Sequence, residues 1–423
     1  MKILFKNARI LTMKDENVFF GNLEVTDNKI SNVGSFELAK SYDQVIECNG
    51  NLLMPSFKNT HTHSAMIFLR SKADDFNLQD WLFKEIFPRE NNLHAGCIKE
   101  LSKVALLEYI SSGISGVIDQ YFFPEEFKDL CEEWGFRSLI LDMYDKDVRP
   151  YEEALKIYKE WNNSEYVKVA IGMHAEYTGT EDMFNETAKL LKETKSPFFV
   201  HLGETYKEVK DCIDNRGVTP LEYYDSLGFF DNGGAIFHGV YLSDHDMDIL
   251  RNKNVAVVSC PASNMKLASG IAELKKLLAK KVNIALGTDG ASSNNSLDMF
   301  KEMYLASGLA KLLDKNPVSI KPFEILKMAT VNGAKIMGLD NALYLEKGQL
   351  ADIIMIDMAK PSMQPINNIV ANLVYSGSKD VIKMTMINGK ILYFDGKFRI
   401  KEEISEIYKK VQYLTDEISI IKK

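Results

Sequence analysis

Eight short apolar runs recur along the middle of the chain and constrain its fold more than any other feature. They are NLLMPSFKNTH (51–61), GISGVID (113–119), FRSLILD (136–142), YVKVAIGMH (166–174), PFFVH (197–201), GAIFH (234–238), VAVVSC (255–260) and VNIALGTD (282–289). Most are separated by segments with apolar residues at helical spacing, such as EEALKIYKEW (152–161) and EDMFNETAKLLKET (181–194). This alternation is typical of repeated βα units around a parallel sheet. Eight such units predict an α/β fold, a TIM-like (β/α)8 barrel.

The two ends of the chain carry a different pattern. Residues 1–50 and 345–400 show short β-type alternation with Asn, Asp and Gly turns such as NGK and DGK. Neither segment is long enough for a comfortable sheet domain, so we predict one small β-sandwich domain built from both termini. The barrel is then predicted to span residues 51–344, and residues 401–423 to end the chain as a helix. Another helix is predicted over residues 319–338.

Composition and charge exclude several classes of protein. Of the 423 residues, 46% are hydrophobic and 26% are charged, which is typical of a soluble globular chain. The formal net charge of −8, without a basic stripe, argues against a nucleic-acid partner. No segment approaches the roughly 18 apolar residues of a membrane span, and the amino terminus does not resemble a signal peptide. The five cysteines are odd in number and never form a CxxC pair, so we expect a reducing, cytoplasmic location.

Histidines close several of the apolar runs. Five of the seven histidines lie at these run ends, namely His61, His63, His174, His201 and His238. His94 and His245 lie elsewhere and are interpreted as surface histidines. Because catalytic groups of such barrels sit at the carboxyl ends of the strands, we expect the five side chains to lie close together.

Four of these strand-end residues form a candidate metal site. His61 and His63 are two residues apart, so their side chains point the same way on an extended strand. With His201 and Asp289 they offer three nitrogen donors and one carboxylate, a set suited to zinc or another divalent metal. A catalytic metal keeps one position for water, whose pKa it lowers to roughly 7. The sequence therefore predicts one divalent ion, Zn²⁺ with Fe²⁺ as the alternative.

Three residues are predicted to be catalytic: Glu204, His238 and Asp289. Glu204 lies three residues beyond His201, so it can lean over the metal as a general acid and base without binding the ion. His238, on the next strand, would stabilise developing negative charge. Each feature has a simpler interpretation when taken alone, since an isolated HxH is more often structural and the Asp of TDG is usually a turn residue or helix N-cap. Their position at the same end of successive strands favours catalysis.

The order of the motifs HTH (61–63), HLGE (201–204), FHGVYLS (237–243) and LGTDGASSNNSLDMF (286–300) resembles the amidohydrolase superfamily. The branch it is similar to includes 5′-methylthioadenosine/S-adenosylhomocysteine deaminases and triazine hydrolases, on the stretches FLRSKADDFNLQDWLFKEIFPRE (68–90), MHAEYT (173–178) and PASNMKLASG (261–270). The resemblance covers about residues 1–400. It implies a metal-dependent hydrolytic deaminase that releases ammonia from an aminated purine nucleoside or a related heterocycle.

The resemblance also implies substrate contacts. Glu90 aligns with a carboxylate that accepts hydrogen bonds from ribose hydroxyls, and His174 with a histidine that contacts the purine. Trp81 is expected either to wall the pocket or simply to pack within its helix. Arg149 matches the second of two arginines that bind the amino-acid carboxylate of S-adenosylhomocysteine. The position of the first carries Asp142, which would repel a carboxylate, so a smaller or uncharged 5′ substituent is favoured.

Two other functions stay open at this stage. One keeps the metal site but acts on a guanine, pterin, cytosine or triazine type of ring, including chlorohydrolase chemistry; a ribose-binding Glu90 has no obvious use there. The other is a barrel that only binds a ligand, which predicts the loss of a metal ligand or of Glu204, and none is missing. We expect a small-molecule substrate and no nucleic-acid or membrane partner, and a homo-oligomer is left open. Cys260 has no base beside it and is interpreted as a pocket wall.

Overall fold

The computed structural model describes residues 1–76, 78–143 and 149–420, and it contains two β-sheets with helices packed around them. Strands β1 to β5 are Lys2–Leu11, Val18–Thr26, Lys29–Gly34, Gln44–Glu47 and Leu52–Pro55. Strands β6 to β13 are Phe57–Thr62, Ile114–Asp119, Arg137–Asp142, Val167–Met173, Phe198–Leu202, Gly234–His238, Val255–Ser259 and Ile284–Leu286. Strands β14 to β17 are Ile353–Ile356, Ile382–Ile387, Lys390–Phe394 and Lys397–Phe398.

Strands β6 to β13 form a parallel eight-stranded sheet in which each strand pairs with the next along the chain. The first and last strands lie side by side, where the backbone N–H of Asp289 donates to the carbonyl of His61 at 2.9 Å. The sheet is therefore nearly closed. Because helices cover its outer face, its strands are buried on both sides and appear in the sequence as continuous apolar runs. The predicted TIM-like (β/α)8 barrel is confirmed.

The first apolar run contains two strands rather than one. Leu52–Pro55 pairs with β1 and β14 in the second sheet, whereas Phe57–Thr62 begins the barrel. Ser56 lies between the two strands and donates its backbone N–H to the carbonyl of Asp352 at 3.1 Å. The change of sheet is invisible in the sequence because both halves of the run are buried. The division of the chain into domains at residues 50/51 and 344/345 stays a prediction.

The remaining nine strands form the second sheet. Eight follow the order β17-β16-β15-β14-β5-β1-β2-β3, and β4 pairs in parallel with residues 3–6 of β1. Strand β5 joins the carboxyl-terminal strands to the amino-terminal ones, pairing antiparallel with β14 and parallel with β1. One face buries a separate apolar core that includes Phe5, Leu53 and Met384. The second sheet is built from both ends of the chain and fits the predicted small β-domain.

The α-helices lie mostly between successive barrel strands. They are Leu78–Asp80, Phe87–Glu90, Cys97–Ser111, Pro124–Trp134, Tyr151–Trp161, Glu181–Thr194, Tyr206–Arg216, Pro220–Ser226, Asp244–Asn252, Pro261–Lys266, Leu274–Ala279, Ala291–Asn294, Met299–Leu313, Pro322–Met328, Val331–Ile336, Ile369–Tyr375 and Ile404–Ile418. Short 3₁₀ turns cover Ser64–Leu69, Glu176–Thr178, Pro361–Met363 and Lys379–Val381, and a π-helical segment covers Trp81–Ile86. Within the described residues, no helix combines the length and apolar content needed to cross a bilayer.

Two predicted helices differ from the structure in their extent. The helix predicted over residues 319–338 is interrupted, because the carbonyl of Ala329 accepts a hydrogen bond from the backbone N–H of Lys58 at 2.9 Å and Thr330 leaves helical geometry. The carboxyl-terminal helix runs over Ile404–Ile418, and residues 421–423 of the predicted segment lie outside the described residues.

Candidate active site

Histidines from three barrel strands meet at the carboxyl end of the barrel. His61 lies on β6, His201 on β10 and His238 on β11, while His63 directly follows β6. The ring of His61 is centred 4.7 Å from that of His201 and 5.6 Å from that of His238. The rings of His63 and His201 are 5.5 Å apart. The parallel sheet thus brings together residues separated by more than a third of the chain.

Asp289 completes this cluster from the loop after β13. Its Oδ1 lies 3.4 Å from Nε2 of His61 and 3.2 Å from Nε2 of His63. Its Oδ2 accepts hydrogen bonds from the hydroxyls of Ser263 at 2.6 Å and Ser293 at 2.8 Å. The two oxygens therefore have separate partners, and Oδ1 is the one that faces the histidines.

Two of the cluster residues have a left-handed backbone. The φ angle is 70° at His238 and 60° at Asp289. Only a few per cent of residues other than glycine adopt this conformation, and it is enriched at functional sites, where the surrounding structure holds it. At Asp289 it turns the chain immediately after the strand, so that the carboxylate faces back over the barrel.

The protonation of the cluster suits a cation. Burial lowers the pKa of His61 to about 3 and that of His201 well below its ordinary value, so both imidazoles are neutral. Burial would raise the pKa of Asp289, but its contacts with His61 and His63 hold it well below the ordinary range. Burial would lower the pKa of His63, but Asp289 and the carbonyl of Gln120 raise it to about 9. His61 and His201 are thus neutral donors of the kind a divalent metal uses, whereas His63 carries a proton beside Asp289 that a bound cation would displace.

Backbone carbonyls orient two of the imidazoles. Nδ1 of His63 donates to the carbonyl of Gln120 at 2.6 Å, and Nδ1 of His201 donates to the carbonyl of His174 at 2.7 Å. A histidine that donates through one ring nitrogen presents the lone pair of the other, here Nε2, to the centre of the cluster. His61 differs, because within the described part of the chain neither of its ring nitrogens has a hydrogen-bond partner, and Nε2 has only the 3.4 Å contact with Oδ1 of Asp289.

Two overlapping groups of described residues have donor atoms close enough to share one ion. They are His61, His63 and His201 in one group, and His61, His238 and Asp289 in the other, each with its atoms within 4.8 Å of one another. His61 belongs to both groups. All four predicted ligands are therefore present in this cluster, with His238 as a fifth donor beside them.

Glu204 and His238 form a second pair at the edge of the cluster. The Oε2 of Glu204 lies 3.8 Å from Nε2 of His238, and its Oε1 is 3.5 Å from the hydroxyl of Ser269. Burial raises the pKa of Glu204. Burial would lower the pKa of His238, but Glu204, Asp289 and a 2.8 Å hydrogen bond to Oδ1 of Asn264 raise it. A buried acid beside an imidazole can hold a proton and pass it on.

A cavity of about 370 Å³ opens directly above this cluster. Its floor contains His63, His201, His238, Glu204 and Asp289. Its walls are mostly apolar and include Leu78, Trp81, Ile86, Phe87, Met143 and Met183. An apolar cavity with a few convergent polar groups is the usual form of a small-molecule site.

Three of the four predicted substrate residues line this cavity: Glu90, His174 and Trp81. Glu90 is 8% exposed and accepts a 2.6 Å hydrogen bond from the hydroxyl of Tyr121, and burial raises its pKa. His174 lies beside His201, and burial lowers its pKa to about 4, so it is neutral. Trp81 is buried in the cavity wall, a position compatible with walling the pocket and with packing in its helix.

Arg149 is not brought to the cavity. Its guanidinium lies 2.5 Å from Oε1 of Glu125, 2.9 Å from Oε1 of Glu153 and 3.4 Å from Oδ1 of Asp142. Burial raises the pKa of Asp142 to about 7, although Arg149 opposes that shift. The arginine therefore balances carboxylates of its own chain. Cys260, which was expected in the pocket wall, is instead fully buried in the core of the barrel.

The sequence reasoning missed several residues of the site. Gln120 and Tyr121 follow directly after strand β7, so the rule that catalytic groups lie at strand ends would have found them. Ser263, Ser293 and Asn264 hold Asp289 and His238 through side chains, and no local pattern in the sequence marks those contacts.

The amidohydrolase family profile matches residues 52–392 of the chain. A 5-methylthioadenosine/S-adenosylhomocysteine deaminase of Thermococcus sibiricus is 40% identical over 400 residues, covering 93% of this chain and 94% of that protein. A 5′-deoxyadenosine deaminase of Methanococcus maripaludis is 36% identical over 412 residues, covering 95% of this chain and 96% of that protein. The crystal structure of an adenosine deaminase from Xanthomonas campestris with bound zinc superimposes with a TM-score of 0.93 at 26% identity, covering 98% of each chain.

Proposed function

The chain belongs to the amidohydrolase family, and we propose that it is a metal-dependent deaminase of an aminated purine nucleoside, releasing ammonia. The observation that carries this proposal is the convergence of Glu204 and His238 beside the histidine–aspartate cluster, on the floor of a cavity that also contains Glu90. The names of the related deaminases agree with this reaction.

We assign the metal ligands to His61, His63, His201 and Asp289, with Zn²⁺ as the ion and Fe²⁺ as the alternative. His238 is left out of the set because its Nδ1 is bonded to Asn264 and its Nε2 lies beside the carboxylate of Glu204. The Nε2 of the buried His61 supports a ligand role, since it has no hydrogen-bond partner among the described residues and a buried polar atom without a partner is costly. When bound, the ion lowers the pKa of a water molecule and so supplies a nucleophile at neutral pH.

Glu204 moves the protons in this scheme. Its carboxylate takes a proton from the attacking water and passes it to the ring nitrogen beside the carbon that carries the amino group. Burial raises its pKa, which favours return of the proton after the carboxylate has taken it up. The C–N bond then breaks, ammonia leaves with the second proton of the water, and the ring keeps the oxygen. His238 stabilises the charge that develops on the attacking oxygen.

The cavity walls support a nucleoside with an uncharged 5′ substituent. Glu90 would accept hydrogen bonds from ribose hydroxyls, His174 would contact the purine, and Trp81 would cover the ring. Among the described residues, the wall contains no lysine or arginine, and Arg149 is paired with carboxylates. A carboxylate on the 5′ substituent would thus be buried without a counter-charge, which is unfavourable.

We keep a cytoplasmic location, which rests on five cysteines that are all buried and unpaired. The substrate is a small molecule.

Ammonia release from purified, metal-loaded protein tests the proposal. The substrates are adenosine, 5′-methylthioadenosine, 5′-deoxyadenosine and S-adenosylhomocysteine, with guanine, cytosine and a pterin as members of the alternative class. We expect 5′-methylthioadenosine or 5′-deoxyadenosine to exceed S-adenosylhomocysteine at least about tenfold in kcat/KM, the equivalent of about 1.4 kcal/mol. Elemental analysis run on the same sample identifies the metal. Absence of ammonia from every nucleoside would contradict the proposed function.

A further inference from the structure

We infer that Glu208 is a positioning residue that fixes the backbone carrying Glu204. This inference rests on the proposed function, because it concerns the proton-transfer group of that reaction. The carboxylate of Glu208 accepts hydrogen bonds from the backbone N–H groups of Gly203 at 2.8 Å, Glu204 at 2.9 Å and Thr205 at 3.4 Å. Its side chain is buried, with 6% of the residue exposed. One carboxylate therefore gathers three consecutive N–H groups around Glu204.

The loop is held from its other side as well. The carbonyl of Gly203 accepts hydrogen bonds from the backbone N–H groups of Val240 at 2.9 Å and Tyr241 at 2.8 Å. Gly203 has a φ of 66°, and a Cβ at this position would lie 2.8 Å from the carbonyl oxygen of Tyr241. The loop of Glu204 is thereby tied to the loop that directly follows His238. Glu208 holds the N–H groups of the same loop, so the distance between Glu204 and His238 depends on it.

Helix capping alone does not explain the position of Glu208. Glu208 is the third residue of the helix Tyr206–Arg216 and forms a capping box with the N-cap residue Thr205, as Glu222 does with Thr219 in the next helix. Glu222 bonds its own cap residue, with 2.7 Å to the N–H of Thr219. For Glu208 the hydrogen bond from its cap residue Thr205 is the longest of the three, at 3.4 Å. The two shorter ones come from Gly203 and Glu204, which precede the cap. The carboxylate is thus placed for the loop more than for the helix.

The charge of the carboxylate matters to this role. Burial raises the pKa of Glu208 to about 7, even though the hydrogen bonds from the backbone N–H groups oppose that shift, so the side chain is a carboxylate above this pH, where the test is run. A carboxylate is acceptor-only, so both of its oxygens can face N–H donors. In a Glu208→Gln variant one oxygen becomes an NH₂ group, which sets donor against donor at Gly203 or Glu204. The substitution keeps the shape and volume of the side chain and removes only this match.

The test compares Glu208→Gln with Glu222→Gln, the equivalent change in the neighbouring capping box. We measure kcat, KM, bound metal, thermal unfolding and the affinity for a purine analogue whose reacting carbon is tetrahedral and bears a hydroxyl. For Glu208→Gln we expect kcat to fall about 10- to 100-fold, since displacements of about 1 Å in a reacting group have effects of this size. The affinity for the tetrahedral analogue should fall in parallel, while KM and metal content stay within about twofold of the wild type.

Glu222→Gln makes the same chemical change in a capping box and should keep the wild-type kcat, because the amide oxygen can still accept the one hydrogen bond from the N–H of Thr219. If Glu208→Gln does not fold, Glu208→Asp keeps the charge but withdraws it by one methylene, and the same fall in kcat is expected. A kcat within twofold of the Glu222→Gln value in the folded variant would overturn the inference, as would a loss of activity that matches a loss of metal. Wild-type protein without deaminase activity would instead overturn the proposed function.

Discussion

At the scale of single residues, His61 is the clearest sign that the cluster is built for a ligand. Both of its ring nitrogens are buried without a hydrogen-bond partner among the residues that the structure describes, and burial lowers its pKa to about 3. Nearly all buried polar atoms in folded proteins are paired, because an unpaired one costs about 1–3 kcal/mol. A cation shared with Asp289 would satisfy His61 through Nε2, which already lies 3.4 Å from Oδ1 of the carboxylate.

Replacing Glu204 by glutamine tests its role in proton transfer. The variant keeps the size of the side chain but cannot take up a proton, so we expect kcat to fall by about 10²- to 10⁴-fold. Metal content should be unchanged, since Glu204 lies outside the proposed ligand set. Glu273→Gln, at an exposed ion pair with Lys276, is the control and should keep full activity. Steady-state ammonia release and elemental analysis provide both readouts. A Glu204→Gln variant with wild-type kcat would refute the assignment.

The two serines that hold Asp289 should set the affinity for the metal. In a Ser263→Ala/Ser293→Ala variant, Oδ2 of Asp289 loses both of its hydrogen-bond donors, and the carboxylate is free to rotate. Losing such contacts to a metal ligand typically lowers affinity by about 10- to 100-fold. The measurement is the chelator concentration that removes half of the bound metal. Ser292→Ala is the matched control, because the neighbouring Ser292 is buried and its hydroxyl has no hydrogen-bond partner in residues 1–76, 78–143 and 149–420. Equal chelator sensitivity in the two variants would contradict this expectation.

At the scale of elements, the sequence predicted what periodicity and strand ends can reveal. Each apolar run contains a barrel strand, and the run ends supplied His61, His201, His238 and Asp289, because parallel strands end at one edge. The change of sheet at Ser56 was not predictable, since strands of two different sheets can be buried in the same way. The break at Ala329 was hidden for a related reason. It depends on a hydrogen bond from Lys58, far away in sequence, and helical spacing continues across it.

Contacts between side chains distant in sequence were also beyond prediction. Asn264 accepts a hydrogen bond from His238, and Ser269 lies 3.5 Å from Glu204, yet the two partners are 26 residues apart in the first pair and 65 in the second. Arg149 shows the reverse case. Its place after the third strand suggested a substrate contact, but the carboxylates of Glu125 and Glu153 on nearby helices compete for the guanidinium. Burial and pairing decide such cases, and neither can be read from one sequence.

The carboxyl-terminal helix supports the segment that carries Glu90. Nδ2 of Asn92 donates to the carbonyls of Ile418 at 3.0 Å and Ile420 at 2.8 Å, at the end of the helix Ile404–Ile418. Asn92→Ala removes these bonds and loosens the cavity wall. We expect KM to rise about fivefold, the equivalent of about 1 kcal/mol, with kcat nearly unchanged. Lys409→Ala, on the exposed side of the same helix, should keep the wild-type KM. An unchanged KM in Asn92→Ala, or a kcat/KM above that of the wild type, would contradict the expectation.

At the scale of the whole molecule, a buried charged cluster joins the barrel to the second sheet. Lys58 and Arg137 lie on barrel strands, and Asp352 directly precedes β14 of the other sheet. Oδ2 of Asp352 is 2.7 Å from Nε of Arg137 and 3.6 Å from Nζ of Lys58, and Arg137 also donates to Asn388 at 2.9 Å. Burial lowers the pKa of Lys58 to about 8. The carboxylate of Asp352 thus partly neutralises the buried positive charges of Lys58 and Arg137. This charged cluster lies at the end of strand β6 opposite to His61.

Asp352→Asn should therefore destabilise the molecule far more than an exposed charge change. The variant leaves Lys58 and Arg137 buried without a carboxylate, and breaking such a buried pair costs about 3–5 kcal/mol. For a protein of this size we expect Tm to fall by about 5 °C or more at neutral pH. Glu406→Gln, which removes an exposed ion pair with Lys409, is the control and should cost at most about 1 kcal/mol.

The pH dependence gives this prediction a second readout. Burial would raise the pKa of Asp352, but Arg137 and Lys58 hold it below its ordinary value of 3.8. A carboxyl whose pKa is lower in the folded than in the unfolded chain stabilises the fold above its unfolded pKa, and that contribution is lost as the pH falls through the folded pKa. The Tm difference between the wild type and Asp352→Asn should therefore be full at neutral pH and shrink below about pH 4. A difference that stays constant with pH, or that equals the Glu406→Gln control, would show that the cluster does not join the two sheets through its charge.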